Sequence, residues 1–501
     1  MKQMLGLAIV VLGIAAAACC AQSVSGPKSV QLTVYNDNFA LVKDARAVTL
    51  TNGINSIEVG DVAARIDPTS ILFKSLTAPN SVAILEQNYQ YDLINPDNIL
   101  NKSVGQRVTF TSFDSNGKPY TQTGILMNPA TIFQPGGQDP YGDYRYQGMV
   151  PSGGIVIKTD SGEVVMRPEG QVSVEKMPDG LHPRPTLNWL LTCDKAGSQK
   201  AEISYITQGV GWKTDYVALV NKDDAALDLA GWVTLDNRSG ATYSDAKLTL
   251  MAGDVRTVTR AREAYAAHMP AGGPVPSLPA SFKEKPFFEY HMYTMQRRTN
   301  IRDNETKQLS LLGASDVPTK KDMIYDGRRD WWRSWWYPGR TGDPGGGYDT
   351  SNYHKVNVVL EVKNSKENHM GMPLPKGKVR VYKLDEAGSQ QFIGEDMIDH
   401  TPKDEKIRLY IGDAFDVVGD YKRTSYKKIS RRAIQETFQV DVRNHKDAAV
   451  LVKVVDHVWS DWNVLQSSHK YNKKDAHTIE FPVQVPANKG VKVTYTIRTR
   501  W

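Results

Sequence analysis

The sequence predicts a mainly β protein: several antiparallel β-sandwich-like, immunoglobulin-like domains with few short helices. Three observations carry this. Apolar and polar residues alternate with period two through residues 30–35, 107–110, 155–157, 379–382 and 491–497, in runs rich in Val, Ile, Thr and Tyr. That is the pattern of strands with one buried face. Turn pairs break the runs at Asn52-Gly53, Asn116-Gly117, Asp160-Ser161-Gly162 and Asp179-Gly180. Helix signals are scarce. The clearest spans residues 95–105, with Asn95 to cap, Pro96 in the first turn and Gly105 just past the end.

A repeat supports the sandwich reading. Val233-Thr234-Leu235-Asp236-Asn237, Leu360-Glu361-Val362-Lys363-Asn364 and Val440-Asp441-Val442-Arg443-Asn444 share one pattern, apolar-x-apolar-x-Asn. Each reads as a strand that ends at or just before an Asn able to turn the chain.

The chain has 501 residues, room for several domains. Taken in order, residues 1–21 read as a signal peptide. Residues 28–180 form an N-terminal β domain and 181–270 a β-sandwich-like domain. Residues 271–286, with Pro274, Pro276, Pro279 and Pro286, form a linker. Residues 287–420 make a β domain bearing an aromatic-basic loop at 325–348, and 421–501 a C-terminal β-sandwich-like domain. A sandwich completed by strands from both sides of the linker is the alternative.

The N-terminal segment sets the expected address. Lys2 precedes an apolar run from Leu5 to Ala18, too short to span a bilayer comfortably, with small residues after it. Cleavage after Ala21 would leave a periplasmic or secreted protein. The alternative is a lipoprotein acylated at Cys19, within Ala16-Ala17-Ala18-Cys19, although a large aliphatic residue is missing three places before the Cys. No transmembrane span is expected in the mature chain.

Composition narrows the chemistry. The net charge of +6 is spread thinly, which argues against a nucleic-acid binder. Three Cys exclude a disulfide-stapled scaffold, and Cys193 reads as a small buried hydrophobe. No metal motif, nucleophile elbow or phosphate loop is present; Gly345-Gly346-Gly347 lacks the Lys and helix that such a loop needs. His457, His469 and His477 lie close in sequence but lack acids at matching spacing, and Asp396, Asp399 and His400 read as a hydrated turn. No cofactor and no metal is expected.

One segment stands out. Arg328, Arg329, Trp331, Trp332, Arg333, Trp335, Trp336 and Tyr337 place four of the ten Trp within six residues. Trp offers a flat face and an indole donor, and Arg stacks on such faces while carrying charge. The pairing suits a sugar, an anionic polymer, a headgroup or a protein partner; packing of the Trp into a groove is the competing reading. Tyr141, Tyr144 and Tyr146 form a weaker second candidate surface.

Several longer runs resemble a known family. Residues 32–42 (Leu32 to Val42), 66–70, 207–216 (Thr207 to Tyr216), 231–243 (Gly231 to Tyr243), 394–396 and 409–416 (Leu409 to Asp416) are similar to the bacterial family of the domain of unknown function numbered 4139. That family is loosely related to the mucoidy inhibitor proteins, whose coiled coil is absent here. The resemblance implies an exported β-rich protein and supplies no catalytic residues. The expectation is therefore a non-catalytic surface-binding or structural component of the bacterial cell envelope. Its partner would be an envelope protein or polysaccharide. The alternative is an envelope hydrolase or carbohydrate-active enzyme with a loop-built site.

Overall fold

A computed structural model describes residues 22–24, 29–90, 92–133, 149–253, 282–328 and 353–501. The protein is mainly β, with 65% of residues in strands and 3% helical. Among the described residues the one α-helix, Pro96–Lys102, starts as its residues dictate: the Asn95 side chain accepts from the Asn98 N–H at 2.8 Å. It stops before Gly105: Ser103 is its C-cap, with its N–H on the Leu100 carbonyl at 3.0 Å and its hydroxyl on the Ile99 carbonyl at 2.7 Å. Among the described residues no helix is long and apolar enough to cross a membrane.

Among the described residues three large cores lie in series. The first joins an eight-stranded sheet, centred on Ser29–Tyr35, Phe39–Leu50 and Gly197–Gln208, to a four-stranded sheet containing Gly53–Val59 and Thr186–Cys193. Trp189 and Phe73 meet between them at 5.4 Å. The second core sits inside a sheet running from Gln390–Ile398 through Val210–Val220 and Ala226–Asn237 to Lys406–Ser430. Its outer strands come together where Asp396 accepts from the Tyr410 N–H at 2.7 Å, so the sheet nearly closes on itself. Inside remains an apolar void of about 10 Å³, too small for an organic ligand. The third core holds Tyr325, Phe438, Val440, Val454, Phe481 and Tyr495.

The strand Glu305–Asp326 threads all three. Leu309 and Leu311 enter the first core, Leu312, Ala314 and Val317 the second, Met323 and Tyr325 the third. Register shifts against Ala226–Asn237 let so long a strand twist. Strands accordingly pair across the boundaries expected near 180 and 270. Ser29–Tyr35 lies beside Tyr243–Ala252, which in turn pairs with Tyr290–Met295, and Lys406–Ser430 runs unbroken through 420. Gly- and Pro-rich segments mark excursions from a sheet as readily as joints between domains, so composition alone misplaces such joints. The described residues 92–133 and 149–183 lie between two neighbouring strands, leaving and returning where Gln90 opposes Thr186. They have their own small core of Leu100, Val108, Phe110, Leu126 and Ile157.

The three repeat asparagines sit where the pattern places them. Asn237 and Asn444 are the last residues of their strands, and Asn364 follows Lys355–Lys363. All are buried, at 0%, 1% and 0% exposure respectively. Each closes one end of its unit. The Asn237 amide donates to Ala241 and Arg302 carbonyls, Asn364 to Met372 and Pro402, Asn444 to Ala448, Val485 and Pro486. In every case one acceptor lies just before the strand that pairs with the Asn-bearing strand. One buried amide thus satisfies carbonyls that the turning chain would otherwise leave orphaned.

Candidate functional site

Of the aromatic-basic segment, Arg328 is described. Arg329, Trp331, Trp332, Arg333, Trp335, Trp336 and Tyr337 lie outside the described residues, as do Tyr141, Tyr144, Tyr146 and Cys19. The residues described on either side, 326–328 and 353–357, form a pedestal on one sheet.

The departing foot is a buried charge cluster. Asp326 ends its strand and accepts from the Arg328 N–H at 3.0 Å and from His457 Nε2 at 2.8 Å. The Arg328 side chain turns inward and is 14% exposed. Its Nε donates to Asp456 Oδ1 at 2.7 Å, one terminal nitrogen donates to the His457 carbonyl, and the guanidinium lies 5.5 Å from the Tyr421 ring and 5.3 Å from Phe438. Asp456 is 1% exposed and also accepts from the Tyr495 hydroxyl. Burial disfavours the Arg328 charge, but Asp456 outweighs it and holds the pKa above the ordinary value. Burial, then the Asp456 charge, pushes the Tyr421 and Tyr495 phenols far above their usual range. Arg328 is therefore an anchor whose head is spent inside the fold, not a cation offered to a ligand.

The returning foot is tied as firmly. His354 Nδ1 lies 2.5 Å from Asp420, and its carbonyl accepts from the Gly419 N–H at 2.8 Å. Asp413 gathers Asn357 at 2.7 Å, Tyr410 at 2.8 Å, Lys355 at 3.1 Å and Tyr353 at 3.3 Å. Partial burial opposes both carboxylates. Hydrogen bonds from Tyr410, Lys355 and Asn357 nonetheless lower the Asp413 pKa, and Arg443 and His354 lower that of Asp420. Two glycines allow the close packing between the feet. A Cβ at Gly419 would lie 2.3 Å from the Tyr325 ring, and one at Gly327 would lie 2.5 Å from Tyr421 Cβ.

No sequence motif marks Asp456, but its phase along the strand does. Val452, Val454 and Asp456 alternate onto the core face, so an acid stands where a valine belongs. The other candidates separate. His469 bonds Ser468, and His477 bonds the Val458 carbonyl. Asp396 is the inter-strand tie described above, while the His400 ring accepts from the Lys376 N–H. Cys193 is buried in the first core, in contact with Lys195 and Gln199. Among the described residues no group of three or more His, Cys, Asp and Glu is arranged to hold a metal ion. No family model matches the chain, and no curated protein is significantly similar to it.

Proposed function

We propose that this is an exported, non-catalytic β-rich protein that acts in the bacterial cell envelope by binding through the segment 329–352. The periplasm or the cell exterior, and membership of the family resembled, belong to the same reading. The observation that supports it most is the pedestal. Both ends of a Trp- and Arg-rich segment are fixed to one sandwich by charged groups, Arg328 on a fully buried Asp456 and His354 on Asp420. Anchoring of this kind gives a binding segment a rigid base and reduces the entropy lost when it engages a partner.

The test replaces Trp331, Trp332, Trp335 and Trp336 by Ala and measures a thermal melt beside retention on purified envelope fractions. Loss of aromatic anchors costs about 2 kcal/mol or more each at an interface. Burial in a core would cost ~3–5 kcal/mol each and collapse the fold. An unchanged melt with lost retention is the expected result. A collapsed melt shows the Trp to be core, and unchanged retention ends the binding reading. Hydrolysis of an envelope polysaccharide by the wild-type protein would replace it with an enzyme.

A further inference from the structure

The sheet around the third core carries a second charged feature, on the hairpin whose strands hold Tyr421 and Phe438. Strands Lys406–Ser430 and Ala433–Asn444 form a hairpin whose turn is Arg431-Arg432. Residues 421–432 contain Lys422, Arg423, Lys427, Lys428, Arg431 and Arg432 and no acid. Among the described residues, Lys422 pairs with Asp441 and Arg423 with Glu436. Lys427, Lys428, Arg431 and Arg432 are exposed, and so is Arg500, which opposes Ala433 on one side and Asp461 on the other.

Aromatic and aliphatic groups accompany the charge. The Trp501 N–H donates to the Arg432 carbonyl at 3.1 Å, and the Trp501 ring lies 5.0 Å from Trp459. Ile429 falls in a register shift between Lys428 and Ser430 and is 42% exposed. A bulge re-aims the side chain it carries. Charge alone would suit any polyanion. An exposed Ile between cations, in a hairpin whose turn is bonded to Trp501, gains nothing from a hydrated polymer but gains from a headgroup–acyl boundary.

We infer that this hairpin tip docks on the headgroup surface of an anionic phospholipid bilayer, with Lys427, Lys428, Arg431, Arg432 and Arg500 on the phosphates and Ile429 entering the interface. The inference rests on the reading of the chain as a surface-binding protein and names a lipid surface as one partner. Each cation near such a surface contributes about a fivefold gain in affinity.

Full-length protein is floated with vesicles of phosphatidylglycerol mixed with phosphatidylcholine, and with phosphatidylcholine alone. Selective binding to the anionic vesicles is expected, falling steeply with added salt. Lys427→Gln, Lys428→Gln, Arg431→Gln and Arg432→Gln together should weaken it by roughly several-hundred-fold. A control with the same net charge, Lys74→Gln, Lys283→Gln, Lys285→Gln and Lys366→Gln, should stay within about threefold of wild type, because its charges lie away from the tip. Ile429→Gln should lose about fivefold. Equal binding to both vesicle types, or equal loss in the tip and control variants, overturns the inference. So does an unchanged Ile429→Gln affinity with complete displacement by dextran sulfate, which would mark a general polyanion site. If the tip variant fails to fold, the salt series and Ile429→Gln decide alone. Wild-type protein that ignores anionic vesicles but stays on envelope fractions through the Trp segment overturns this inference and leaves the surface-binding reading standing.

Discussion

Replacing Asp456 by Asn tests whether the loop's first foot is held by charge. The substitution keeps shape and one oxygen acceptor but leaves Arg328 charged, because a guanidinium does not lose its proton at neutral pH even without a partner. Breaking a buried pair from one side costs ~3–5 kcal/mol. The 14% exposure of Arg328 lets water reach part of the guanidinium and places the cost near the lower figure. Arg328→Met approaches from the other side. It removes the cation and its contacts with Tyr421 and Phe438, while Asp456 keeps the Tyr495 hydroxyl and the His457 N–H at 2.8 Å. The double variant leaves no unpaired charge, so it should cost less than the sum of the singles by about 2 kcal/mol. Whole-molecule melts blur such a difference in a chain with several cores. Hydrogen exchange across Val450–His457 and Lys489–Arg500 reads the affected unit directly. Additive singles, or singles each below about 1 kcal/mol, would refute the argument that this pair is a coupled buried anchor.

Asn444→Ala should destabilise the third sandwich by roughly 2–4 kcal/mol, because three carbonyl acceptors lose one buried donor. Asn444→Asp should cost more at neutral pH, since a carboxylate then faces those carbonyls; a shift in urea midpoint smaller than that of the Ala variant would sink the account. The pH response of the second foot follows from Asp413 and Asp420. Both have lowered native pKa values, so their stabilisation is complete above the unfolded value of about 4 and is lost as pH falls through the lower native values. Hydrogen exchange in Lys355–Lys363 should therefore stay slow with respect to these two acids from pH 7 to about 5 and quicken only in stronger acid. Quickening that tracks their titration near neutrality would contradict it.

Much of the local structure was legible in the chain. Period-two alternation gave the class, Asn95 and Pro96 gave the helix start, and the recurring Asn gave three strand ends. These features depend on a residue and its near neighbours, so a sequence can state them. Asp44, Arg46 and Asp456 were also visible in principle, being polar residues in phase with buried valines. The basic run from Lys422 to Arg432 was equally open to reading, but its dilution in a nearly balanced total charge hid it.

What tertiary structure decided is which strands meet. A strand's alternation shows that one face is buried but not what lies against it. Any apolar face will accept any other of suitable shape, since burial is non-directional. Glu305–Asp326 looks like an ordinary polar-apolar strand, yet it threads three cores because its length exceeds the span of any one of them. Arg328 reads as a surface cation among tryptophans until Asp456, far along the chain, supplies the charge that draws it inward. Alternation and caps are properties of one segment, whereas pairing, burial of charge and the shared end of a sandwich arise when distant segments compete for the same space.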